Sequence, residues 1–101
     1  VRDALAMIEA RIGSGGLGAG ELAARIGYSS QHFGRLFRGL TGESPADYIL
    51  KRRLTEAARR LVMQGGAAAE VARAMGWEDY ETFSRAFKRH FGLAPSRIFP
   101  S

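Results

Sequence analysis

Ser44-Pro45-Ala46-Asp47-Tyr48-Ile49-Leu50-Lys51-Arg52-Arg53-Leu54-Thr55-Glu56-Ala57-Ala58-Arg59-Arg60-Leu61-Val62-Met63-Gln64 is one unbroken helical pattern with a marked start and stop. Ser44 suits the capping position, Pro45 the first helical position, and Asp47 the place of a reciprocal capping carboxylate. Gly65-Gly66 follows, and glycine turns the chain after a last helical turn without a Cβ clash. About 20 residues at roughly 1.5 Å each make a rod of roughly 30 Å. Leu50, Leu54, Ala57, Ala58 and Leu61 fall on one apolar stripe. Tyr48 and Ile49 leave that stripe at one end and Val62 and Met63 at the other, so each end is expected to bury a second face. Arg52, Thr55, Glu56 and Arg59 stay polar, with Glu56 placed to pair with Arg59 or Arg60. The rod reads as a spacer.

What lies on either side of it is one pattern written twice. Residues 3–12 have helical spacing, with Leu5, Ile8 and Ile12 apolar, and Gly13-Ser14-Gly15-Gly16 breaks the chain. A short helix follows from Leu17 to Ile26 with Leu22, Ala23 and Ile26 inward, closed by Gly27. Ser29 or Ser30 can cap a third helix over 30–41, where Phe33, Leu36, Phe37 and Leu40 at i, i+3, i+4 and i+7 define a buried face. Beyond the rod, a short helix over 67–75 ends at Gly76. Asp79 caps a longer one over 79–91, with Phe83, Ala86, Phe87 and one of His90 or Phe91 inward, and Pro95 opens a final short turn. Phe33, Arg35, Phe37, Gly42 and Pro45 recur 50 residues later as Phe83, Arg85, Phe87, Gly92 and Pro95. Leu22, Ala23 and Gly27 recur 49 later as Val71, Ala72 and Gly76.

Short helix, glycine turn, longer helix is the helix-turn-helix signature, in which the second helix enters the DNA major groove. One such unit is weak evidence, because many helical hairpins look alike; two in register, each with an outward arginine, are specific. The roughly 30 Å rod is then close to one B-DNA turn, roughly 34 Å. The net charge of +5, from 13 arginines and 2 lysines against 10 carboxylates, favours a polyanionic partner. That charge is spread along the chain rather than held in a tail.

Several classes are excluded or disfavoured. Without cysteine there is no disulfide, thiol nucleophile or cysteine-based zinc finger. His32 and His90 are too few and too separated for a metal site, and no cofactor is expected. No apolar run approaches the roughly 18 residues of a membrane span, and no signal peptide is expected. A start on Val rather than Met suggests a fragment of a longer chain or a trimmed one. No carboxylate pair is set for acid–base work, and Gly13-Ser14-Gly15-Gly16 lacks the preceding strand and following lysine of a phosphate loop. An enzyme is not expected. Phe33, Phe37, Phe83, Phe87 and Trp77 read as core, which disfavours single-stranded RNA.

The stretch Gly76-Trp77-Glu78-Asp79-Tyr80-Glu81-Thr82-Phe83-Ser84-Arg85-Ala86-Phe87-Lys88-Arg89-His90-Phe91-Gly92-Leu93-Ala94-Pro95 resembles the signature of the AraC/XylS family of bacterial transcription regulators, with Trp77 where Phe is usual. Leu22-Ala23, Gly27-Tyr28-Ser29 and His32-Phe33 through Pro45 resemble its first half. The resemblance implies an all-α, seven-helix domain: a first subdomain over 1–43, a linker helix over 44–64 and a second subdomain over 65–101. It also implies double-stranded promoter DNA as partner, activation through RNA polymerase, a bacterial nucleoid location in the cytoplasm, and an effector-binding or dimerisation domain elsewhere in the full-length chain. Gly18 and Ala67 stand where the family usually has capping hydroxyls. Losing such a hydroxyl to alanine costs about 1 kcal/mol. Ala19 and Ala68 replace larger aliphatics, so a thinner core is expected there.

For base reading the candidates are Gln31, Arg35, Tyr80, Glu81, Ser84 and Arg85. Arginine binds guanine O6 and N7 bidentately, glutamine pairs with adenine, and glutamate accepts from cytosine N4. Ser30, His32, Arg38, Thr82, Lys88 and Arg89 suit the phosphate backbone. Arg35 and Arg85 could instead be solvated or touch phosphate. Glu78, Asp79 and Glu81 could simply complement the helix dipole, and they would repel phosphates, so the second unit is expected to bind more weakly. The alternative function is a protein-interaction module of the same fold, contacting RNA polymerase or another regulator without strong DNA binding.

Overall fold

The helix boundaries follow from local chemistry repeated twice. The computed structural model describes residues 2–12, 18–65 and 67–98. The expected break at Gly13 to Gly16, the start at Leu17, and Gly66 lie outside the described residues. Seven helices are present among them: α1 (Arg2–Arg11), α2 (Ala19–Arg25), α3 (Ser30–Thr41), α4 (Pro45–Gln64), α5 (Ala68–Ala74), α6 (Tyr80–Phe91) and α7 (Pro95–Ile98). The all-α architecture with a long helix between two helix-turn-helix units is therefore as expected.

Each longer helix begins on a side-chain oxygen. Ser29 Oγ accepts from the His32 N–H at 3.2 Å, Ser44 Oγ from Asp47 N–H at 3.2 Å, and Asp79 Oδ1 from Thr82 N–H at 2.8 Å. Of the two serines, Ser29 is the cap and Ser30 is the first helical residue. The short helices α2 and α5 start at Gly18 and Ala67 with no side-chain cap, as the missing hydroxyls foretell.

The two turns superpose bond for bond. Tyr28 N–H donates to Ala23 O and Trp77 N–H to Ala72 O, both at 3.0 Å. Gly27 N–H donates to Ala24 O at 3.2 Å and Gly76 N–H to Arg73 O at 3.1 Å. Gly27 and Gly76 hold φ of 83° and 98°, a left-handed backbone that glycine adopts freely.

Two cores result. In the first, Ala4 and Ile8 of α1 and Ile12 just beyond it meet Leu22, Ala23, Phe33, Phe37 and Ile49, with Tyr48 against them. The second gathers Leu54, Ala57 and Leu61 of α4 with Val71, Ala72, Met75, Trp77, Phe83 and Phe87. A fully buried phenylalanine of this kind contributes about 1.5–3 kcal/mol by burial. Ala19 and Ala68 lie only partly buried beside their cores.

Four expectations fail here. Leu36 and Leu40 are 40% and 70% exposed: α2 and α4 cover only the Phe33–Phe37 edge of α3, so the four-residue face is half used. Val62 and Met63 are 65% and 71% exposed, because the end of α4 turns Leu61 inward and these two outward. His90 and Phe91 are both exposed, with Phe91 resting on Phe87 at 4.5 Å between ring centroids. Leu50, too, lies at the margin of its stripe rather than in the core.

The linker is thus docked unevenly. Its N-terminal part reaches the first core through Tyr48 and Ile49, and Leu54, Ala57 and Leu61 belong to the second. At roughly 30 Å for 20 residues, α4 is long for a molecule of 43 × 23 × 21 Å.

Candidate nucleic-acid interface

On α3 the core residues Phe33 and Phe37 fix which side faces out. Ser30, Gln31, Gly34, Arg35 and Arg38 then line a shallow hollow, closed at one side by Ser44. Four of the candidate residues of the first unit are brought together there. His32 is not among them: its ring stacks on Tyr28 at 5.1 Å with the planes 8° apart. That stack seats His32 beside the turn rather than in the hollow. Tyr28 is a contributor that the sequence reading missed.

α6 repeats the arrangement. Phe83 and Phe87 are buried, and Tyr80, Glu81, Ser84 and Arg85 line a hollow on the outer side. All four base-reading candidates of the second unit meet in it. Thr82 and Arg89 line a neighbouring hollow with Arg85 and Ala86. Lys88 is exposed near the C-terminal end of the helix. Tyr80 has its ring 6.1 Å from that of Phe83, so part of it serves packing and its edge is left to the hollow.

The two hollows differ electrostatically. The first is lined by two arginines and no carboxylate, whereas Glu81 shares the second with Arg85. Asp79 is occupied as a cap, and the hydrogen bond from the Thr82 N–H holds its carboxyl below the usual range.

The second unit is anchored to the linker by a side chain to which the sequence reading assigned no role. Arg53 lies over the Trp77 ring, 4.1 Å from its centroid, and its Nη2 donates to Met75 O at 2.8 Å. Met75 and Trp77 flank Gly76, so Arg53 ties the linker to the turn that aims α6. The first unit is tied differently: Glu9 of α1 receives two hydrogen bonds from the Arg52 guanidinium, which hold its carboxyl below the usual range.

Comparisons with known proteins agree with this geometry. A family described as a helix-turn-helix domain matches residues 22–100. The probable transcription factor PqrA of Proteus vulgaris is 33% identical over 99 residues, covering 97% of this chain and 81% of its own. An AraC-type DNA-binding domain regulator from Chromobacterium violaceum superposes with a TM-score of 0.83 at 27% identity, over 99% of this chain and 93% of that one. The chain belongs to the AraC-type helix-turn-helix family.

Within that family, the DNA-binding domain of AdpA, solved in complex with a target DNA, superposes with a TM-score of 0.87 at 27% identity, covering 96% of this chain and 86% of that one. The chain is a DNA-binding domain of AraC-family transcription regulators and not an enzyme. It spans only 26% to 61% of the length of several other curated relatives. Among the described residues no helix is long and apolar enough to cross a membrane.

Proposed function

We propose that this AraC-type domain binds double-stranded promoter DNA sequence-specifically, with α3 and α6 in neighbouring major-groove segments. The observation that carries the reading is the pair of equivalent hollows, each set on the outer side of a second helix and each holding an arginine. Arg35 and Arg85 are the guanine readers, Gln31 an adenine reader, and Tyr80, Glu81 and Ser84 complete the second surface. Ser30, His32, Arg38, Thr82, Lys88 and Arg89 hold phosphates and set the register. The subdomains run over 1–43 and 65–101, joined by 44–64. In the full-length regulator, an effector-binding or dimerisation domain and contact with RNA polymerase would turn binding into activation at the nucleoid.

The carboxylate in the second hollow makes the second unit the weaker reader. Arg35→Ala and Arg85→Ala, titrated against a duplex selected from a random pool, test both statements. Each substitution should cost about 1–3 kcal/mol of discrimination at its own base step, and Arg35→Ala should lower affinity more. A larger loss for Arg85→Ala would reverse the ranking. Unchanged preference in both variants would remove the two arginines as readers.

A further inference from the structure

One hollow lies apart from the two base-reading surfaces. It lies between α4 and α6 and is lined by Leu50, Lys51, Leu54, Ala86, Arg89 and His90. Arg89 and Ala86 also line the hollow that holds Thr82 and Arg85. A basic path therefore runs from the second reader, through Arg89, onto the linker at Lys51. Its floor is apolar, from Leu50, Leu54 and Ala86, and low-dielectric walls concentrate the field of the cations above them.

Lys51 is held in place but not used up. Its Nζ donates to Glu43 Oε1 at 2.9 Å, while the side chain stays 51% exposed. An ammonium has three donors, so two remain for another acceptor. His90 stands at the other end of the groove with its ring edge-on to Phe91.

We propose that this groove is a phosphate-binding saddle: Lys51 and Arg89 hold the DNA backbone that passes between the segments read by α3 and α6. The linker helix is then a DNA-binding element as well as a spacer. The inference rests on the two-reader function above and adds to it a contact by the linker. Lysine serves as a compact point charge for such a phosphate. Glu43 competes with that phosphate for the same ammonium, so it weakens the contact while positioning it.

The test is the salt dependence of binding. Its probes are a duplex selected from a random pool and its truncation to the segment that α3 protects. Each neutralised phosphate adds about 0.9 to the slope of log K against log salt. Lys51→Gln should lower the slope by about 0.9 on the long duplex, which is about an eight-fold loss at 0.1 M salt relative to 1 M. It should leave the truncated duplex unaffected. Lys51→Arg should restore the slope, and Glu43→Gln should raise affinity for the long duplex. Circular dichroism at the binding temperature confirms that each variant is folded.

An unchanged slope for Lys51→Gln on the long duplex overturns the saddle while leaving the readers standing. Equal slope losses on both duplexes overturn it too, since Lys51 would then sit beside the first reader. Salt-independent binding by the parent would overturn the two-reader function itself.

Discussion

Replacing Arg53 by alanine tests how the second reader is held. The guanidinium makes a charge-assisted hydrogen bond to Met75 O at 2.8 Å, a class worth about 1.5–3 kcal/mol. Its stack on Trp77 at 4.1 Å adds about 0.5–2 kcal/mol. Against these, Arg53 Nε is buried and finds no partner among the described residues, and an unpaired buried donor costs about 1–3 kcal/mol. The balance at mid-range is a net loss of about 1.5 kcal/mol for Arg53→Ala. In a domain of this size each kcal/mol moves Tm by about 4–8 °C, so a drop of about 6–12 °C is expected. Arg53→Lys keeps the charge but loses the planar fork and stack, and should fall between the two. Thermal unfolding followed by Trp77 emission reads both effects, because Trp77 is the only tryptophan and sits under the guanidinium. A Tm for Arg53→Ala within about 2 °C of the parent would refute the idea that this contact braces the turn.

Further outcomes follow from the same geometry. Gly34→Ala should stabilise the domain by about 1 kcal/mol, the helix-interior cost of glycine, since a Cβ there meets nothing within 4 Å; thermal unfolding checks it. Hydrogen bonds from Arg59 and then Arg60 pull the Glu56 carboxyl down from 4.5 to about 2. A lowered folded-state value gives stability that is full above pH 4.5 and lost as pH falls through about 2. Glu56→Gln should therefore flatten the acid limb of a stability–pH curve between those values; an unaltered limb would mean that the three side chains do not act together. Glu9→Gln should act in the same direction through Arg52.

Much of the fold was legible because the chain states its boundaries in local chemistry. Ser44-Pro45 and Gly65 bracket α4, and Asp79 and Gly92 bracket α6, each through backbone groups within a turn of the residue concerned. The repeat supplied the rest, since Phe33 and Phe37 predict the burial of Phe83 and Phe87. Periodicity failed where it had to stand in for neighbours. It gives the apolar face of α3 but not how wide a face α2 and α4 cover, so Leu36 and Leu40 were placed inside. In the second unit Ala86 occupies the position of Leu36 and lies half-buried beside Leu54 of the linker. Val62 and Met63 were misplaced for the same reason.

The candidate readers were legible as the outward side of a helix whose inner side is phenylalanine. The partners of charged residues were not. Arg52 and Arg53 are adjacent in a basic run, yet one reaches Glu9 and the other Met75 and Trp77. Adjacent residues on a helix point about 100° apart, and only tertiary packing says what stands in each direction.

In the proposed function the two helix-turn-helix units read double-stranded DNA together. The most direct measurement is the affinity for a duplex selected from a random pool against a scrambled duplex, across a range of salt. A preference of about 10³ or more for the selected duplex is expected, with log K falling linearly with log salt at about −0.9 per phosphate held. Equal affinity for the two duplexes, or binding indifferent to salt, would contradict it.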